Sequence, residues 1–135
     1  MGVLAIDFGL KRIGIAGSDD LGIASYPVKL VINDAKNQYF SDILSIIDDR
    51  RPDLILVGLP IKDDGRLKIQ TDIEVFTKEL KKLTSVKVIY WNENFTSKEA
   101  DEILIKMNVS RKKRKSFQDM LAACLIIDSY LRSQQ

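Results

Sequence analysis

From Gly2 to Phe8 the chain is a short apolar run rich in strand formers, Gly9-Leu10-Lys11-Arg12 supplies a turn, and Ile13 to Ala16 is apolar again. That pattern predicts two strands joined as a hairpin. Asp19-Asp20-Leu21-Gly22 reads as another turn, and Ile23 to Ile32 as a third strand made irregular by Pro27, which cannot donate to a sheet ladder. At Asn33 the period changes. Phe40, Ile43, Leu44 and Ile47 recur at helical spacing, Asn33 or Asp34 can cap the start, and Pro52 closes the segment. Leu54 to Val57 is continuously apolar, as expected of a strand buried on both faces, and ends at Gly58-Leu59-Pro60.

A polar loop with Asp63-Asp64-Gly65 leads to a helical pattern carrying Ile69, Ile73, Phe76, Leu80 and Leu83 on one face, and then to the strand Val86 to Trp91. This is a strand-helix-strand unit of parallel character. Thr96 and Glu99 have the spacing of a capping box for a helix with Ala100, Ile103, Leu104 and Met107 on its apolar face. After a basic run, a last helix offers Phe117, Met120, Leu121, Cys124, Leu125 and Leu131 as core residues. A hairpin-rich first half joined to crossover units predicts an α/β fold: a five-stranded mixed sheet covered by about four helices. Strand order 3-2-1-4-5 is the expected arrangement, a choice that periodicity alone does not make.

At 135 residues, 45% hydrophobic and 30% charged, the chain is expected to form one globular domain, 1–135, around a single core. The single cysteine, Cys124, cannot form an internal disulfide, and its apolar neighbours suggest packing rather than reactivity. With no apolar run of about 18 residues and no signal-like segment, a cytoplasmic setting away from membranes is expected. Histidine is absent, which removes Ser-His-Asp and Cys-His catalysis and the usual ligands of catalytic zinc. Enzymatic chemistry here would rest on oxygen ligands and hard cations, Mg²⁺ or Mn²⁺. The net charge is only +2, yet Arg111, Lys112, Lys113, Arg114 and Lys115 are consecutive, so the rest of the chain is net negative. A local patch of this kind suits a phosphate-rich partner and equally suits a solvated basic loop.

Three acids stand out. Asp7 interrupts an apolar strand between Ile6 and Phe8, where a carboxylate is costly unless paired or metal-bound, although a solvent-facing or turn-forming role beside Gly9 would also place it there. Glu93 follows the strand ending at Trp91, at the sheet edge where open α/β folds bind ligands. Asp119 lies near the start of the last helix, where an acid is also a favourable dipole partner, and Ala122 and Ala123 are small enough to let that helix approach the sheet. Two-metal phosphoryl hydrolysis needs carboxylates clustered around ions about 3.5–4 Å apart, and spacing along the chain does not establish that convergence.

The block Asp7-Phe8-Gly9-Leu10-Lys11-Arg12-Ile13-Gly14-Ile15-Ala16, followed by Ser18-Asp19, resembles the opening motif of the YqgF-type family of Holliday junction resolvases and pre-16S rRNA nucleases. Gly58-Leu59-Pro60 with Gly65 and Gln70, Glu93 with Thr96 and Ala100, and Asp119 with Ala122-Ala123 and Tyr130-Leu131 follow in the family's order across nearly the whole chain. The resemblance implies a ribonuclease H-like fold, metal-binding catalytic carboxylates at Asp7, Glu93 and Asp119, and a two-metal Mg²⁺ or Mn²⁺ nuclease. It also implies action on nucleic acid, either precursor rRNA matured at the 5′ end of 16S RNA, with ribosomal precursor particles as partners, or branched DNA, by a monomer or homodimer. Lys11 and Arg12, together with Arg111, Lys112, Lys113, Arg114 and Lys115, would hold the phosphate backbone.

One departure is Asn92-Glu93-Asn94, where the family more often carries Asp-Glu-Arg, so a charge is missing on each side of Glu93. This motivates an alternative, a catalytically weak nucleic-acid-binding factor in ribosome assembly. An actin-like or sugar-kinase-type ATPase also opens with a strand, an Asp-x-Gly turn and a hairpin, but it needs two domains to enclose ATP. Thr96 and Ser97 could touch phosphate and Trp91 could stack on a base, with capping and core packing as the preferred roles. Asp19 is expected to serve its turn.

Overall fold

The computed structural model describes residues 2–34, 36–60, 68–93 and 97–135, with the side chains of residues 68, 93, 97–101, 115 and 116 outside that description. Strands β1 (Val3–Phe8), β2 (Arg12–Ser18) and β3 (Ser25–Ile32) come first, followed by α1 (Tyr39–Arg50), β4 (Leu54–Pro60), α2 (Lys68–Leu83), β5 (Lys87–Glu93), α3 (Ser97–Lys106) and α4 (Arg111–Ser133). The sheet order is β3-β2-β1-β4-β5. β1, β2 and β3 pair antiparallel, whereas β1, β4 and β5 pair parallel, so the expected mixed sheet and its order are both present.

The period-2 alternation of β1 divides the molecule into two layers. Leu4, Ile6 and Phe8 join Ile13, Ile15, Ile55 and Val57 in a core closed by Tyr39, Ile43 and Ile47 of α1 and Ile73, Phe76 and Leu80 of α2. Val3 and Ala5 face the opposite side with Ala16 and Leu56, where Ala123, Cys124, Ile126 and Ile127 of α4 cover them. Burying each of these large aliphatic side chains contributes about 1.5–3 kcal/mol, enough to fix the register of a strand wanted on both faces. Pro27 coincides with a register shift between Ile15 and Ala16 in the β2–β3 ladder, the irregularity expected of that residue.

Several local expectations are corrected. α1 is preceded by Gln38, which makes no side-chain cap. Asn33 instead donates to the Gly9 carbonyl, while the Asp34 carboxylate accepts from the backbone of Lys36 and Gln38. The helix ends with Arg51 in the left-handed region, just before Pro52. The basic run does not precede the last helix: it forms its first turn, with Ser110 as the N-cap accepting from the Lys113 amide. The buried face of α4 is consequently Ala122, Ala123, Ile126 and Ile127, while Phe117 is 43% exposed. Leu83 and Met107 are also exposed rather than core. The proposed Thr96 cap and the Asp63-Asp64-Gly65 loop lie outside the described residues. Among the described residues no helix is long and apolar enough to cross a membrane.

Candidate active site

Asp7 is the fifth residue of β1 and half-buried where its neighbours are fully buried. By the alternation that turns Val3 and Ala5 toward α4, its side chain faces the same layer. Its antiparallel partner is Gly14. A Cβ built on Gly14 would lie 2.1 Å from the Asp119 carbonyl oxygen and 2.4 Å from its carbonyl carbon, so the backbone of α4 rests directly on this bare position. Partners across an antiparallel ladder sit about 4.5–5.5 Å apart at Cα. Asp7 and Asp119, far apart in sequence, therefore meet around one glycine.

Asp119 falls on the buried face of α4, three, four, seven and eight residues before Ala122, Ala123, Ile126 and Ile127. It is the ninth residue of the helix rather than a first-turn residue, so a dipole role does not explain it. Its carboxylate accepts from Arg12 Nε at 3.2 Å. Burial pushes its pKa above the usual carboxylate value, and the Arg12 guanidinium offsets part of that rise. Arg12 is set in place by its turn: a Cβ on Gly9 would lie 2.5 Å from the Arg12 carbonyl oxygen, so only glycine fits there. Asn33 Nδ2 donates to the Gly9 carbonyl at 2.8 Å, and the Asn33 amide donates to the Lys11 carbonyl at 3.0 Å.

Glu93 closes β5 at the carboxyl edge of the parallel strands, its backbone paired with Pro60. Ile6 pairs with Val57, which puts Gly58 beside Asp7 on the next strand. Gln70 Nε2 donates to the Pro60 carbonyl at 2.7 Å and ties the start of α2 to this edge. Lys11 is exposed in the first turn. Arg111, Lys112 and Lys113 are exposed at the start of α4, and Arg114 donates to the Val109 carbonyl at 3.5 Å. At about 1.5 Å per helical residue, the run begins roughly 12 Å along the axis from Asp119.

Trp91 packs edge-on against Tyr130 and donates to Ser129 Oγ at 3.2 Å, a core role. Cys124 is buried, and desolvation lifts its thiol to about 11, which leaves it inert. Asp19 accepts from the amides of Ile23 and Ala24, and the Ile23 bond is the main reason its pKa is lowered.

Among the described residues no three metal-ligating side chains cluster. Asp7 and Asp119 nevertheless supply oxygen donors from two facing elements, in a chain without histidine, a donor set that fits a hard divalent cation.

A family model described as RuvX: Holliday junction resolvase matches residues 1–133. The chain belongs to this family. A relative from Carboxydothermus hydrogenoformans carrying the name "Putative pre-16S rRNA nuclease" is 34% identical over 132 residues, covering 97% of this chain and 96% of that protein. A relative of the same name from Geobacillus sp. (strain WCH70) is 36% identical over 138 residues and covers all of both chains. In fold, this RuvX-family chain is similar to the Fowlpox virus resolvase solved with Holliday junction DNA (TM-score 0.62, 16% identity, 99% of each chain). It is similar also to Thermus thermophilus RuvC (TM-score 0.61, 14% identity, 99% of this chain and 97% of that one). The ribonuclease H-like expectation for the fold is met.

The Arg12–Asp119 ion pair was not anticipated from the sequence. Tight backbone geometry at Gly14 and a close approach of the last helix through Ala122 and Ala123 were, and the structure joins the two in one contact. A tight turn at Gly9 fixes the hairpin register, and that register sets Gly14 opposite Asp7.

Proposed function

We propose that this chain is a divalent-metal-dependent nuclease that hydrolyses phosphodiester bonds, and that its task is 5′-end processing of pre-16S rRNA in the cytoplasm. The observation that carries this reading is the contact at Gly14, which brings the carboxylate-bearing face of α4 down beside Asp7. RNA is favoured over DNA because the relatives named for pre-16S rRNA share about a third of their residues with this chain over its whole length. The junction-bound neighbour resembles it in fold.

Asp7, Glu93 and Asp119 would hold two Mg²⁺ or Mn²⁺ ions. Bound there, such ions supply an activated water and stabilise the leaving oxygen. The chain's own contribution is to hold Asp7 on a strand packed on both faces, and to set the Arg12 guanidinium against the Asp119 carboxylate, where it offsets part of the burial penalty on the charged form. Lys11, Arg12 and the first turn of α4 would grip the phosphate backbone without reading sequence. Ribosomal precursor particles would be the physiological partner, met by a monomer or a homodimer.

Cleavage of labelled precursor 16S RNA and of a four-way DNA junction in Mn²⁺ tests the proposal. RNA cleavage is expected to require the metal and to fall by roughly two orders of magnitude or more in Asp7→Asn and in Asp119→Asn, the scale of losing one charge-stabilising group. Cutting of the junction alone would redirect the enzyme to branched DNA. RNA binding by folded protein without cleavage of either substrate would favour the assembly-factor reading, for which Asn92 and Asn94 are the motive.

A further inference from the structure

Arg12 and Asp119 are tied at 3.2 Å, and their side chains are 30% and 21% exposed. In the proposed function one of them grips phosphate and the other binds a divalent ion, two roles that the observed contact opposes. A carboxylate oxygen engaged by a guanidinium has to be shared with, or surrendered to, an ion that demands oxygen at about 2.0–2.1 Å. The incoming double charge also repels the guanidinium. Arg12 cannot retreat with its backbone, because the turn is fixed by the Gly9 contact and by both Asn33 hydrogen bonds. Only the side chain can swing, and it does so from the strand face that Arg12 shares with Gly14, which leaves it over the same site. The present contact runs through Nε, whereas the paired Nη edge forms the fork that suits phosphate.

We propose that Arg12 is an exchangeable counter-ion: it neutralises Asp119 in the cation-free protein and is displaced by the arriving divalent ion onto a substrate phosphate oxygen, so that metal loading and phosphodiester binding are coupled through one side chain. The inference rests on the metal-nuclease reading above. Its consequence is a pair of opposite effects from one substitution: removing Arg12 strengthens metal binding, as loss of a neighbouring positive charge must, while weakening the metal-loaded complex with nucleic acid.

The test is titration calorimetry with Mn²⁺ on wild type, Arg12→Gln, Arg12→Lys and Asp7→Asn, each checked for folding by circular dichroism. It is paired with binding of a single-stranded RNA in Ca²⁺ and in EDTA. Arg12→Gln is expected to bind Mn²⁺ about two- to fivefold more tightly, the range of an ion pair of this exposure, while Arg12→Lys stays within about 1.5-fold of wild type. RNA affinity in Arg12→Gln is expected to fall more in Ca²⁺ than in EDTA, with the salt slope in Ca²⁺ reduced by about 0.7, one phosphate contact on a single strand. Unchanged or weaker Mn²⁺ binding by Arg12→Gln would overturn the exchange, as would equal tightening in Arg12→Lys or an equal RNA loss in both conditions. Asp7→Asn separates the two claims. If it binds Mn²⁺ as wild type does, or if wild type binds none, the metal-nuclease reading itself fails and takes the exchange with it.

Discussion

Asp119 is the residue at which function and stability pull against each other. Its carboxyl is held above the ordinary value of 3.8 chiefly by burial, with Arg12 compensating in part. Because the folded-state pKa is raised, the native chain binds that proton more tightly than the unfolded one, and the group's contribution to stability declines as pH rises from about 3.8 through its native pKa. At neutral pH the charged form is therefore a net cost. Asp119→Asn, nearly the same shape without the charge, is expected to be more stable than wild type by about 0.5–1 kcal/mol in EDTA at pH 7, a rise of a few degrees in Tm. Thermal melts across pH should show that gain shrinking toward pH 4. A variant less stable than wild type at pH 7 would mean that the Arg12 contact outweighs desolvation.

At the scale of elements, the decisive contact is α4 against β2. A 23-residue helix crosses the sheet with Ala122, Ala123, Ile126 and Ile127 beneath it, and its backbone rests directly on β2 at Gly14. Small residues on both sides permit the approach, and the approach sets Asp119 beside Asp7. Gly14→Ala would place a methyl 2.1 Å from a backbone oxygen, where no side chain can yield, so the helix itself must shift. The expected result is a loss of about 1–3 kcal/mol in denaturant unfolding together with loss of nuclease activity. Gly22→Ala makes a useful control for backbone strain without crowding: its φ is +68°, yet nothing lies within 4 Å of an added Cβ.

For the whole molecule, the charge distribution matters more than the net charge of +2. Arg111, Lys112 and Lys113 occupy the first turn of α4, where a helix dipole favours anions, and that turn carries no acid. These cations are misplaced for stability and well placed for a polyanion. Replacing the three by Gln is expected to leave the Tm of the free protein unchanged or raised. RNA affinity should weaken uniformly across sequences, and the dependence of log Kd on log salt should lose about 0.7 per phosphate contact removed from a single strand. A salt slope identical to wild type would assign the run to solvent.

The sequence by itself determined the strands, the helices and the family. Alternation within Val3–Phe8, helical spacing within α1 and α2 and turn chemistry at Gly9 are local properties, written in adjacent residues. The start of α4 was less legible, because a run of cations reads as a loop until Ser110 is recognised as a cap and Phe117 as exposed. Only the tertiary structure decided that the Asp119 backbone rests on Gly14, the ladder partner of Asp7, and that Arg12 bonds the Asp119 carboxylate. The reason is physical: convergence across more than a hundred residues depends on the register of a hairpin and on which face of a helix is small, and no local propensity encodes the product of the two.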